Sequence, residues 1–120
     1  MKTKNIIRDA LLFLEKEFHL EFQFIEERGN YYIYKNKFGR LEYYEWSQFQ
    51  EAEFRVYAND ECKTIDMLLI DPKKMGVYQK KNKGLRGFFR DGREEYWKIV
   101  ANIIRSEIEK KNSLFGLRLV

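Results

Sequence analysis

Over residues 3–18 the apolar positions Ile7, Leu11, Leu14 and Phe18 recur at steps of four, three and four, and Ile6, Ala10 and Phe13 widen the stripe. This spacing gathers them on one side of an α-helix, with Thr3 or Asn5 as N-cap. The period then drops to two. Phe22 and Phe24 alternate with Glu21 and Gln23, and further alternating or apolar runs cover 31–35, 41–46, 53–58 and 63–70. Short polar stretches separate them: Arg28-Gly29-Asn30, residues 36–40 with Gly39, and Asn59-Asp60-Glu61. Runs of this length joined by Gly, Asn and Asp turns predict an antiparallel meander of four to five strands. Asp71-Pro72 reads as the end of the last strand, because proline cannot donate to a central ladder.

Residues 73–90 show no clean period. They carry Gly76, Gly84 and Gly87 and many cations, and they read as a long loop with at most one turn of helix. A second helix follows. Asp91 with Glu94 three residues later forms a capping-box pattern. Trp97, Val100, Ile104 and Ile108 repeat at three, four and four, with Tyr96, Ile99 and Ile103 broadening the buried side. Glu94 and Glu95 at the start and Lys110 and Lys111 at the end suit the helix dipole, and the helix should stop near Asn112. The tail 114–120 reads as a short edge strand or a clamp on the sheet. The fold expected is α+β: an N-terminal helix, a four- to five-stranded antiparallel meander, a basic loop over 72–93, and a C-terminal helix packed on the sheet, all in one domain over 1–120.

Alternation assigns the strand residues to two faces. One holds Phe22, Phe24, Tyr31, Ile33, Leu41, Tyr43, Phe54, Val56, Ile65, Met67 and Leu69, an ordinary core against two helices. The other holds Tyr32, Tyr34, Tyr44, Trp46, Tyr57, Leu68 and Ile70, mixed with Glu42, Arg55 and Asp66. A solvated sheet face reads mostly polar, whereas tyrosine and tryptophan are enriched where proteins meet. Tyr32, Tyr34, Tyr44, Trp46 and Tyr57 are therefore the candidate protein-binding residues, for a partner or for a second copy. The alternatives are that helices cover both faces, that the tyrosines form cross-strand pairs, or that the register slips by one residue.

Composition sharpens this. The chain has 120 residues, of which 17% are aromatic, too rich for a chain that cannot bury itself. It has one proline, one cysteine and no apolar run near the ~18 residues of a membrane helix. A lone Cys62 excludes an internal disulfide, and a basic start interrupted by Arg8 and Asp9 is no signal peptide, so the expected location is the cytoplasm, away from membranes. The net charge of +4 divides unevenly: −4 over 1–71, +7 over 72–93 and +1 over 94–120. The basic segment makes Lys80, Lys81, Lys83, Arg86 and Arg90 candidate anion or nucleic-acid ligands, with Phe88 and Phe89 as stacking groups. The plain alternative is a solvated loop.

Catalytic chemistry finds little support. His19 is the sole histidine and follows the first helix, where a cation complements the dipole. No zinc-ligand spacing is present, and no metal, cofactor or catalytic set is assigned. Glu61-Cys62-Lys63 matches the Glu-x-Lys element of Mg²⁺-dependent nucleases of the restriction-endonuclease type, with Asp66, Glu51 or Glu53 as further ligands. It is a three-residue pattern at a turn, common by chance, the preceding strand lacks a partner aspartate, and surface charges around the turn are the better explanation.

The order helix, antiparallel meander, helix resembles many small bacterial α+β proteins of unknown function and is similar in size and style to immunity proteins that neutralise polymorphic toxins. Its distinctive strings are Tyr43-Tyr44-Glu45-Trp46, Phe88-Phe89-Arg90-Asp91 and Leu114-Phe115-Gly116-Leu117. The resemblance implies a non-enzymatic domain that binds a protein. Immunity proteins against nucleases are typically acidic and this chain is basic, so the implied toxin presents an acidic surface. The expectation is a protein-binding domain using its aromatic sheet face and basic loop, with nucleic-acid binding second and a Mg²⁺-dependent nuclease third.

Overall fold

A computed structural model describes residues 3–46, 51–81 and 92–120. The elements run α1 (Thr3–Ala10), α2 (Leu12–Lys16), β1 (Glu21–Glu26), β2 (Asn30–Asn36), β3 (Gly39–Trp46), β4 (Glu51–Ala58), β5 (Glu61–Ile65), α3 (Met67–Ile70), α4 (Pro72–Lys81), α5 (Gly92–Lys111), β6 (Ser113–Leu114) and β7 (Leu117–Arg118). The fold is α+β, with an antiparallel five-stranded meander in the order β1-β2-β3-β4-β5.

The chain forms two compact units, each assembled from separate stretches. The first comprises Met1–Leu12 and Met67–Ser106. Its buried side chains include Ile7, Leu11, Met67, Met75, Trp97, Val100, Ile103 and Ile104. The apolar stripes read from the sequence on 3–18 and after Asp91 thus supply most of this core. The second unit comprises Phe13–Asp66 and Glu107–Val120 and contains the whole sheet. The last turn of α5 belongs to it and packs on the sheet with Ile108 buried.

The first helix is shorter than its apolar stripe and is divided at Leu11, although the Leu11 N–H still donates to the Ile7 carbonyl at 3.0 Å. It stops because His19 adopts φ 58°, and the Leu20 N–H turns back onto the Leu14 carbonyl at 2.9 Å. His19 is thus an exposed turn residue. At the end of α5, Asn112 plays the same part, with φ 55° and its N–H on the Ile108 carbonyl at 2.7 Å.

Two stretches differ from the sequence reading. The run 63–70 is not one strand: β5 ends at Ile65 and Met67–Ile70 is helical. Residues 73–81 are not a loop either, since α4 starts at Pro72. Asp71-Pro72 is a helix start and not a strand stop. The Asp71 carboxylate accepts from the Lys74 N–H at 3.1 Å, the bond of an N-cap, and Pro72 fills the first helical position, where no N–H is needed. Asp91 and residues 82–90 lie outside the described residues.

Register in the sheet is set by three tight connections. Glu26 pairs with Asn30 around Glu27–Gly29, Asn36 pairs with Gly39 around Lys37 and Phe38, and Ala58 pairs with Glu61 around Asn59 and Asp60. Asn59 and Asp60 have φ 55° and 63°, the left-handed pair of a type I′ turn. Phe22 and Phe24 then stand opposite Tyr34 and Tyr32, which stand opposite Leu41 and Tyr43, which stand opposite Val56 and Phe54. This corrects the face assignment in β2. Tyr32 and Tyr34 are on the core face, each 1% exposed, and Tyr31 and Ile33 are on the other, where Ile33 is nonetheless buried at 7%.

The core face carries a row of rings across four strands. Centroid distances are 5.1 Å for Phe24–Tyr32, 5.8 Å for Tyr32–Tyr43 and 4.7 Å for Tyr43–Phe54. Glu45 caps the row, accepting from the hydroxyls of Tyr32 at 3.2 Å and Tyr43 at 3.4 Å.

The tail after α5 is a hairpin of β6 and β7, turned by Phe115 and Gly116 in left-handed conformations. It clamps the sheet: the Asn36 side-chain amide donates to the Arg118 carbonyl at 2.8 Å, and the Arg118 guanidinium lies 4.7 Å from the Phe38 ring centroid. Next to it, a Cβ on Gly39 would stand 2.0 Å from the Tyr57 carbonyl oxygen and 3.0 Å from Leu117. Gly39→Ala should therefore destabilise the chain by about 2–4 kcal/mol, since the clash is with backbone. Gly76→Ala in α4, where a Cβ meets nothing within 4 Å, should stabilise it by about 0.5–1 kcal/mol. Urea denaturation of the two variants checks the opposite signs.

Candidate functional site

The face of the sheet turned away from the aromatic row is built by the alternate residues of each strand. Three rows cross it: Ile25–Tyr31–Tyr44–Glu53, Gln23–Ile33–Glu42–Arg55–Thr64 and Lys35–Arg40–Tyr57–Cys62. Tyr31, Tyr44 and Tyr57 are half-buried.

Direct opposition across β2 and β3 stacks Tyr31 on Tyr44, with centroids 4.3 Å apart and planes 27° apart. The Tyr44 hydroxyl donates to the Arg28 carbonyl at 3.3 Å, which ties this ring to the first hairpin. Opposition across β3 and β4 places the Arg40 guanidinium 3.8 Å from the Tyr57 ring centroid. Residues two apart on a strand share a face, so Arg40 pairs with Glu42 on β3 and Arg55 pairs with Glu53 on β4. Because the strands are antiparallel, Glu42 also lies directly across from Arg55.

The two ion pairs differ in burial. The Glu42 side chain is 10% exposed under an Arg40 that is 42% exposed, whereas Glu53 and Arg55 are both open to solvent by more than a third. Hydrogen bonding to Glu42 raises the Arg40 pKa, and hydrogen bonding to Tyr57 and then to Glu53 raises that of Arg55. Both guanidinium groups are thus charged at every pH the fold meets, and each is held by a carboxylate. The result is a surface of flat rings and planar cations whose charge is balanced locally.

Beside these rows, at the strand ends, lies an open groove of about 530 Å³ lined by Phe18, His19, Glu21, Lys35, Lys37 and Phe38, among others. The Lys35 ammonium donates to Gln23 at 3.1 Å.

The five candidate protein-binding residues do not share one face. Tyr44 and Tyr57 are on the outer face as read, and Tyr32 and Tyr34 are on the core face. Trp46 pairs with Glu51 in the ladder, and its side chain lies outside the described residues. The side chains of Lys80 and Lys81, at the end of α4, also lie outside the described residues, as do Lys83, Arg86, Phe88, Phe89 and Arg90 altogether. Of the nuclease pattern, Glu61, Cys62 and Lys63 are exposed on β5, Asp66 follows that strand and Glu53 is held by Arg55. Among the described residues, no three His, Cys, Asp or Glu side chains group as they would around a metal ion, and no helix is long and apolar enough to cross a membrane.

Sequence reasoning missed Tyr31, Arg40 and the paired role of Arg55. A signal was available: Arg40-x-Glu42 and Glu53-x-Arg55 place opposite charges two apart in runs of period two, which is how a sheet face pairs its own charges. No protein family, curated protein or solved structure matches this chain.

The difference in burial makes a prediction. Arg40→Ala leaves the Glu42 carboxylate with little solvent and without its guanidinium, and should cost about 1–2 kcal/mol in urea denaturation. Arg55→Ala leaves an exposed Glu53 and should cost about 0.5 kcal/mol or less.

Proposed function

We propose that the chain is a non-enzymatic, cytoplasmic protein-binding domain, of the inhibitor or immunity kind, that docks its partner on the outer face of the five-stranded sheet. The observation that carries this reading is the set of half-buried rings and guanidinium groups on that face: the Tyr31–Tyr44 stack and Arg40 over Tyr57. Tyrosine and arginine are the residue types that dominate binding energy at protein interfaces. They are also held in place before any partner arrives, which lowers the ordering cost of association.

The charge pattern favours a protein over a nucleic acid on this face. A nucleic-acid surface gains its affinity from cations that neutralise phosphates. Here Arg40 and Arg55 are already neutralised by Glu42 and Glu53. The cytoplasmic location rests on the single thiol, Cys62, which is free and exposed.

The test is affinity capture with the intact chain and with a Tyr44→Ala/Tyr57→Ala variant. A stoichiometric protein retained by the first and lost about thirtyfold or more by the second is the expected result. Retention that ignores the substitutions, or no retained protein, overturns the reading.

The second reading rests on the +7 charge over 72–93. Under the leading one, the chain does not retard a single-stranded oligonucleotide at about 50 mM salt. Retardation there that vanishes by about 200 mM would move the assignment to nucleic-acid binding.

A further inference from the structure

We propose that the free edge of β5 pairs antiparallel with the same strand of a second copy of this chain, about a two-fold axis through Cys62. The sheet ends in β1 on one side and β5 on the other. An end strand presents a row of backbone N–H and C=O groups that template another strand. Glu61, Cys62, Lys63 and Thr64 are all exposed, and among the described residues no strand pairs with the outer side of β5.

The hairpin decides which backbone groups point outward. Ala58 and Glu61 flank a two-residue turn and so exchange hydrogen bonds with each other. Antiparallel ladders alternate, so Lys63 and Ile65 also direct their backbone groups to β4, while Cys62 and Thr64 direct theirs to the open edge. A two-fold axis at Cys62 joins the outward groups of Cys62 to those of its copy.

Charge then selects this register. With the axis at Cys62, Glu61 of each copy faces Lys63 of the other, which gives two opposite-charge pairs on one face. With the axis at Lys63, the two lysines face each other instead. Edge strands are commonly guarded by shortness, by lysine or by proline; β5 is short and carries Lys63, but in this register that lysine meets Glu61 of the copy, so its charge favours the pairing.

The contact is one short strand per copy, well below the roughly 1,200 Å² of a tight interface, so the dimer is weak and forms at high concentration. It is independent of docking on the outer face, and the purified chain alone tests it.

Two measurements suffice: sedimentation velocity up to about 0.5 mM, a range chosen to populate a weak dimer, and cross-linking with a short bismaleimide. Cys62 is the sole cysteine, so a cross-linked dimer reports this axis. The intact chain should shift toward dimer with concentration and cross-link. Lys63→Glu, which sets Glu against Glu twice, should weaken association at least about tenfold. The exchange Glu61→Lys with Lys63→Glu restores both pairs and should recover association to within about threefold. Tyr44→Ala/Tyr57→Ala should leave it intact. A strict monomer at the highest concentration, as expected if the edge instead takes a strand of another protein, overturns the proposal. So does cross-linking that ignores Lys63→Glu, or an exchanged variant as defective as the single one.

Discussion

The outer face of the sheet is determined by what the inner face requires. Phe24, Tyr32, Tyr43 and Phe54 form one line of rings across β1 to β4, closed by the Glu45 carboxylate at its end. Side chains alternate strictly along a strand, so committing Tyr32 to this row, with Tyr34 beside it on the same face, puts Tyr31 and Ile33 on the other. The same parity on β3 and β4 puts Leu41, Tyr43, Phe54 and Val56 inward and Arg40, Glu42, Arg55 and Tyr57 outward. The stacked arginine, the paired tyrosines and the two ion pairs are consequences of that single choice of register.

Much of this was legible from residues alone. The apolar stripe of Trp97, Val100, Ile104 and Ile108 marks a helix with no competing reading, and Asn59-Asp60 marks a tight hairpin. The sheet's order and direction follow from connections too short for anything but antiparallel neighbours. What resisted was β2, where Tyr31-Tyr32-Ile33-Tyr34 is apolar at every position, so alternation is silent. Only the length of the adjoining turn resolves it. A two-residue connection at Lys37 and Phe38 forces Tyr34 opposite Leu41, and a turn read over 36–40 leaves that pairing undetermined. The helical segments after Ile65 were hidden for a different reason. Asp-Pro both ends strands and begins helices, and only the carboxylate's bond to the Lys74 N–H distinguishes the two.

The candidate surface was half legible. Tyr44 and Tyr57 follow from simple alternation, but the contribution of arginine does not appear in a search for aromatic faces. Arg40 acquires its position from the ring opposite it on β4 and from the carboxylate two residues along β3. A face built this way carries both signs of charge and several flat apolar surfaces without a net field. Docking on it, as proposed above, would be governed by shape and by stacking more than by long-range attraction. The strongly basic stretch over 72–93 is a separate feature of the sequence, and it carries the chain's excess of positive charge.

The way the chain is divided between its two units bears on how it is made. Neither unit is a contiguous piece of sequence: one needs Met1–Leu12 together with Met67–Ser106, the other Phe13–Asp66 together with Glu107–Val120. During synthesis the first helix must wait for α5 before its own unit is complete. The meander can pair its strands at once through local turns, yet it lacks its clamp until the hairpin of β6 and β7 has left the ribosome. Each core is thus finished only when two stretches far apart in sequence are both present, so cutting the chain at any internal point deprives at least one unit of part of its own wall.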